Sequence, residues 1–314
     1  MTGGAGYIGS SLVKILLEHN IATTTLDIAS TRSDSLQRKP QNARRVRGGI
    51  SDPRAVRRAL SKGADVVVHL AAIPNPARCD ADPLRALRTN ISGTELALRE
   101  SSRHHPLFIF ASSQTVYGDL GNSRASESTH PNPKDLYSLT KLAGEHMVQS
   151  YDRANLVRGV ILRISSVYGI GAWPNLDQIP GRMVVDCIAD RTMTLISSTN
   201  IRTPGGQVVD LVHVRDVCNA ILKVIGNRDR VAGQVFNISS GKGVSVREVA
   251  GLVARVSRRM GNKGKVRYLR GFRSVEMVRS LVLSNAKARS IVGWQPVISL
   301  RRGVEEMVKY VQAK

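Results

Sequence analysis

The chain has 314 residues, a formal net charge of +22 and 42% hydrophobic residues. No apolar run reaches the ~18 residues a membrane helix needs, and no charged leader precedes an apolar segment, so a cytoplasmic location without a membrane partner is expected. Cys79, Cys187 and Cys218 are odd in number and far from other His or Cys at ligand spacing, so they read as buried free thiols in a reducing compartment, with no metal site.

The first motif is Thr2-Gly3-Gly4-Ala5-Gly6-Tyr7-Ile8-Gly9-Ser10, followed by Leu12, Val13, Ile15, Leu16 and Leu17 at helical spacing. It reads as a dinucleotide loop entering a helix: Gly3 permits a tight turn, Gly6 lets backbone N–H groups approach a pyrophosphate, and Gly9 allows close helix packing. Such a loop follows a central strand, yet only Met1 stands before Thr2. The first strand is therefore expected to be missing, through either a misplaced start or a compromised fold.

Asp27 closes the apolar run Ile21 to Leu26, about 20 residues beyond the loop, where an acid accepts hydrogen bonds from ribose hydroxyls. This favours NAD over NADP, although Arg32 lies close enough to accommodate a 2′-phosphate. Short apolar runs at Thr23 to Asp27, Val66 to Leu70, Leu107 to Ala111 and Gly159 to Ile164 alternate with helical stretches. That order predicts an α/β fold, a doubly wound parallel sheet of Rossmann type with a smaller C-terminal substrate lobe.

Tyr137 and Lys141 stand four residues apart, on one face of a helix. A free Tyr titrates near ~10, so it becomes a useful base only where a fixed cation stabilises the phenolate. Lys141 is placed to supply that cation. Alone the pair is weak evidence, since two common residues often share a solvated helix face.

Taken together, the glycine loop, Ser112-Ser113-Gln114-Thr115-Val116-Tyr117-Gly118 and Tyr137 to Lys141 resemble an extended short-chain dehydrogenase/reductase, nearest to the nucleotide-sugar epimerase/dehydratase family and UDP-glucose 4-epimerase-like. Val68-His69-Leu70-Ala71-Ala72, Asn90 to Thr94, Val167-Tyr168-Gly169, Val212 to Val217, Phe236 to Gly241 and Gly293-Trp294-Gln295-Pro296 extend the resemblance over essentially the whole chain. It implies an NAD-binding domain of residues 1–167 with 208–241 and a substrate lobe of 168–207 with 242–314.

The resemblance also implies roles. Ser113, Tyr137 and Lys141 are the catalytic set; Gly3, Gly6, Tyr7, Ile8, Gly9, Asp27, Ile50, Leu70, Ala71, Ala72, Asn90 and Lys141 hold NAD; Ser113, Ser166 and Arg273 bind a nucleotide-sugar substrate. Tyr137 takes the sugar hydroxyl proton while hydride passes to NAD, and an epimerase returns that hydride to the opposite face of the keto sugar. Dehydratases of the family place an Asp-Glu pair after the Ser/Thr position, where this chain has Gln114-Thr115. An amide and a hydroxyl supply no acid/base pair near neutral pH, so dehydration is disfavoured.

Four positions concern the phosphates and adenine. Gly49 stands in place of an acid, with Asp52 nearby; Ser166 replaces an Asn; Val209 replaces a diphosphate-gripping Arg, with Arg202 or Arg215 as substitutes; and Arg273-Ser274-Val275-Glu276 retains the family's late R-x-x-[DE] element. Three functions stay open: an NAD-dependent nucleotide-sugar epimerase, a reductase or dehydrogenase exchanging free cofactor, and a noncatalytic cofactor-sensing or RNA-binding relative. The excess of Arg lacks interleaved aromatics, so nucleic acid is not an expected partner. Helices around Leu87 to Leu98 and Leu142 to Tyr151 imply a homodimer by resemblance.

Overall fold

The structure, a computed structural model, describes residues 1–29, 43–121, 123–198, 201–273 and 278–314; the side chains at 198 and 270–273 fall outside that description. From the glycine loop the chain enters α1 (Tyr7–Glu18), then β1 (Thr23–Asp27), β2 (Ala43–Arg47), α2 (Pro53–Leu60) and β3 (Val66–His69). Helices α3 (Pro76–Ala81), α4 (Pro83–Leu87) and α5 (Gly93–Ser101) lead to β4 (Leu107–Ser113), α6 (Leu136–Arg153) and β5 (Arg158–Ile164). Beyond these run β6 (Ser166–Tyr168), α7 (Gly181–Ile188), β7 (Thr192–Ser198), β8 (Val208–His213), α8 (Val214–Gly226) and β9 (Gln234–Ile238). The last elements are β10 (Gly243–Ser245), α9 (Val246–Arg259), β11 (Lys265–Arg273), β12 (Ser280–Leu281), α10 (Ala286–Val292) and α11 (Leu300–Gln312).

All four apolar runs read as strands are strands. β3, β4, β5 and β9 pair in parallel in that order, and β1 pairs in parallel with β2. Side-chain alternation buries both sheet faces: Leu107 and Ile109 of β4 pack with α1 and α8 residues such as Leu12 and Val217, while Phe108 and Phe110 pack with Val56, Leu98 and Val148 of α2, α5 and α6. Burial on two faces explains why these strands are continuous apolar runs.

Among the described residues no strand precedes α1, but Thr2 forms parallel bridges to Leu26 and His69, joining β1 to β3. Thr2 N donates to Val68 O at 3.0 Å, Leu70 N to Thr2 O at 3.3 Å, and Gly3 N to Leu26 O at 2.8 Å. Two residues thus satisfy the backbone of both neighbours at the carboxyl ends of the strands, where ligands bind in this class of sheet.

A second apolar core gathers Met183, Val184 and Cys187 of α7, Met193 and Leu195 of β7, Val249 to Val256 of α9 and Val304 to Val308 of α11. β7 pairs in parallel with β11, and β8 pairs with β6, β10 and β12. The expected boundary at residue 242 differs from the packing in one respect. Ala288, Val292 and Trp294, assigned by sequence to the substrate lobe, join the core of the first lobe, where the Trp294 indole donates to Asp216 O at 3.0 Å.

Candidate active site

A cleft of about 1100 Å³ opens at the carboxyl ends of the parallel strands. Gly3, Gly6, Tyr7, Ile8, Gly9, Asp27, Ile50, Leu70, Ala71, Ala72, Ser113, Tyr137, Lys141 and Ser166 all line it. The helix α1 points its first turn at this space with Gly6 as N-cap, no side-chain cap and no acid in the first turn. Its leading N–H groups and dipole are therefore available to an anion.

The loop is built around backbone contact. Gly3 has φ of +71°, and a Cβ on it would lie 2.8 Å from Ala71 N; a Cβ on Gly9 would run into the Gly3 carbonyl. Asp27 accepts from Ala5 N at 2.9 Å and from Ala29 N at 3.0 Å, so its carboxylate is held at the tip of β1 beside the loop. An uncapped helix, a close-packed glycine turn and a fixed acid on one wall fit the diphosphate and ribose of a dinucleotide. Tyr7 donates from its hydroxyl to Gly169 O at 2.7 Å and meets the Trp173 ring at a tilt, centroids 5.2 Å apart, tying this loop to the segment after β6.

Helix α6 brings the proton-transfer groups. Asp135 caps it by accepting from Ser138 N at 2.8 Å, with Ser138 Oγ accepting in return from Asp135 N at 3.2 Å, so the helix begins one residue before Tyr137. Ser113, at the end of β4, faces Tyr137, whose phenol pKa it acts to lower, and accepts from Thr115 Oγ1 at 3.0 Å and Thr115 N at 3.2 Å. Lys141 Nζ lies 5.9 Å from the Tyr137 ring centroid and donates to Ala111 O at 2.8 Å. Burial pushes the Tyr137 phenol up to about 12, against the effect of Ser113, and pulls the Lys141 ammonium down to about 8. The site is dry, and both groups favour their neutral forms more than they do in water.

Asn90 is the cofactor residue that the structure moves. It is buried and does not line the cleft; its Oδ1 accepts from Ile73 N at 2.8 Å, and its Nδ2 donates to Thr140 Oγ1 at 3.0 Å and Ile73 O at 3.3 Å. With both ends of the amide engaged, it ties the segment after Ala72 to α6. His69 plays a similar part, bonded to Thr2 Oγ1 at 2.9 Å and Thr94 Oγ1 at 3.0 Å, with burial holding it neutral by lowering its pKa to about 3.

On the substrate side the arrangement is sparser. Ser166 lines the cleft and accepts from Gln114 Nε2 at 2.9 Å. Asp52 caps α2 by accepting from Arg54 N at 2.9 Å and does not line the cleft, whereas Gly49 does. Arg215 is paired with Glu306 of α11, and Asp210 accepts from Ser240 and Leu283 N. The Arg273 side chain and Arg32 lie outside the described residues. Among the described residues no cluster could hold a metal ion, no helix is long and apolar enough to cross a membrane, and all three cysteines are buried and free.

One network escaped the sequence reading. Glu145, two turns beyond Tyr137, takes the buried Arg163 guanidinium at 2.6 Å and accepts from Ser112 Oγ. Arg163 also donates to Tyr117 OH at 2.9 Å, which in turn donates to Asn237 Oδ1 at 2.8 Å. The available signal was the spacing of Tyr137, Lys141 and Glu145 by four residues each.

Comparison with known proteins accords with this geometry. The sequence model of the NAD dependent epimerase/dehydratase family matches residues 1–239. The chain is 31% identical to the putative UDP-glucose 4-epimerase of Methanocaldococcus jannaschii, over 99% of this chain and 97% of that protein. It is 32% identical to the dTDP-glucose 4,6-dehydratase of Mycobacterium tuberculosis, over 76% of this chain and 71% of that protein. Among solved structures, MoeE5 in complex with UDP-glucose and NAD superimposes with a TM-score of 0.85 at 26% identity, covering 99% of this chain and 97% of that one.

Proposed function

The chain belongs to the NAD dependent epimerase/dehydratase family, and on that premise we propose that it epimerises a nucleotide sugar through a transient keto intermediate, with NAD recycled inside the cleft. The observation that carries this reading is the convergence of Ser113, Tyr137 and Lys141 on the wall opposite the open helix α1, with Gln114 and Thr115 where a dehydrating acid pair is required. Bound in the cleft, the nicotinamide supplies a two-electron acceptor and donor.

The protein's own work is proton transfer and orientation. Tyr137 removes the proton of the reacting hydroxyl and returns it after the ketone has turned. Ser113, with two acceptor positions filled by Thr115, keeps its hydroxyl hydrogen for Tyr137 or the sugar oxygen. Lys141 supplies the positive charge that stabilises the phenolate. The backbone of Gly6 to Gly9 and Asp27 hold diphosphate and ribose, Ser166 meets the substrate, and Arg273 is assigned to a substrate phosphate.

We assign the cofactor to residues 1–167 with 208–241 and the substrate to 168–207 with 242–314, with Ala288, Val292 and Trp294 packing in the core of the first lobe. A homodimer is supported by three exposed leucines on α4 and α6, Leu84 at 69%, Leu87 at 41% and Leu139 at 53% exposure. We place the protein in the cytoplasm with no nucleic-acid role, because three free thiols suit a reducing compartment and the Arg excess has no stacking partners.

A second reading, a reductase that exchanges free cofactor, is favoured by the loss of the diphosphate Arg at Val209 and the diversion of Arg215 to Glu306. Purified protein incubated with UDP-hexoses decides between them. Conversion to the epimer without added cofactor and without free NADH supports the epimerase; turnover only with stoichiometric NAD(P) or NAD(P)H supports the reductase.

A further inference from the structure

Three consecutive residues at the end of β4 meet three successive turns of α6. Ser113 faces Tyr137, Ala111 O accepts from Lys141 Nζ at 2.8 Å, and Ser112 Oγ donates to Glu145 Oε1. Tyr137, Lys141 and Glu145 are four residues apart and share one helix face. Glu145 is 1% exposed and Arg163 of β5 is 5% exposed; the guanidinium binds the carboxylate through Nε at 2.9 and 3.1 Å and through a second nitrogen at 2.6 Å. The side chain of Glu145 is thereby fixed in orientation from the neighbouring strand.

We propose that Glu145 is a positioning residue for the proton-transfer set: anchored by Arg163, its carboxylate clamps Ser112 and so fixes the end of β4, with Ser113 on it, against the Tyr137–Lys141 face of α6. The inference rests on the functional reading above. A buried ion pair adds little net stability compared with apolar residues of the same volume, so stability alone does not account for its presence here. Orientation does, since a proton-transfer site loses rate steeply when a reacting group is misplaced.

The charge of Glu145 has a second consequence. Lys141 is faced by Cys79 of α3, His69 of β3 and, on its own helix, Tyr137 and Glu145. Burial raises the Cys79 thiol and holds His69 neutral. Burial lowers the Lys141 ammonium, and Cys79 first and Glu145 second act against that; with the Cys79 thiol raised by burial, Glu145 is the carboxylate acting on it.

Two variants of the full chain test the proposal. Ser112→Ala cuts the clamp and leaves the Glu145–Arg163 pair intact, so folding is retained; turnover of the nucleotide sugar should fall roughly tenfold with KM little changed. Glu145→Gln keeps the size and the acceptor but removes the charge. The 15N NMR titration of the Lys141 ammonium, assigned by its loss in Lys141→Arg, should then move down by about one pH unit, and the alkaline limb of the activity profile with it. The NMR titration needs no substrate, so it reports on Glu145 even where no tested sugar turns over, which separates failure of this inference from failure of the functional reading. Wild-type turnover in Ser112→Ala, or an unmoved Lys141 titration in Glu145→Gln, overturns the proposal.

Discussion

The β4–α6 wall of the cleft and the β8–α8 segment outside its lining are built on opposite principles. On the β4–α6 wall the polar groups of the proton-transfer set are held by their neighbours: Ser113 by Thr115, Lys141 by Ala111, Glu145 by Arg163 and Ser112. In β8 and α8, which do not line the cleft, the cation that could grip a diphosphate is spent elsewhere, Arg215 on Glu306, and the buried Asp210 carboxylate accepts from Ser240 and Leu283 N. A site for moving protons needs fixed geometry, whereas a site for an anion needs an uncommitted cation. The contrast separates a wall of fixed polar geometry from a segment whose cation is already paired.

The comparison can be broken most forcefully at Tyr137. Tyr137→Phe should lower turnover by about a thousandfold, within the range of general acid–base effects, while cofactor binding measured by equilibrium titration stays close to wild type. Loss of cofactor binding instead would mean that the wall is a scaffold and the chemistry lies elsewhere. Next in size is Gly9→Val, which drives a side chain into the Gly3 carbonyl; NAD affinity should drop on the order of a hundredfold, about 2.7 kcal/mol. Calorimetric titration with NAD measures it.

Lys141 makes the pH dependence specific. Its protonated form is the active one and burial lowers it to about 8, so without bound cofactor its fraction falls as pH rises through that value. Turnover should decline on the alkaline side of pH 8, read from initial rates across pH 6 to 10. A profile flat through that range contradicts the role given to the ammonium. The smallest effect concerns the β8–α8 segment: Val209→Arg should tighten inhibition by UDP several-fold by adding a charge-assisted contact, with turnover unchanged. Equal inhibition in both proteins would mean that diphosphate affinity is set away from β8.

Legibility in the sequence followed the range of the interactions. The glycine loop and the Tyr137–Lys141 pair were readable because a turn and a helix repeat impose their spacing locally. The strands β1, β3, β4 and β5 were readable because burial on both faces leaves continuous apolar runs. Glu145 and Arg163 stand 18 residues apart, and Arg215 and Glu306 91 apart, so neither pairing was visible, and Arg215 read as a free candidate for the diphosphate. Asn90 belonged to a recognised motif, yet which way its amide faces depends on Ile73 and Thr140, elements that only tertiary packing brings beside it. The bridge made by Thr2 was invisible for the same reason: a strand pattern needs several residues, while two backbone partners suffice to satisfy it.

The central claim is that the cofactor is recycled within one active site. UDP-glucose deuterated at the sugar carbon 4, incubated with purified protein and excess unlabelled NAD, tests it through NMR of the sugar and mass spectrometry of the free cofactor. The account predicts an epimer carrying its deuterium on the same carbon, with none in the free cofactor pool. Deuterium released into free NADH, with keto sugar accumulating in place of the epimer, would contradict it.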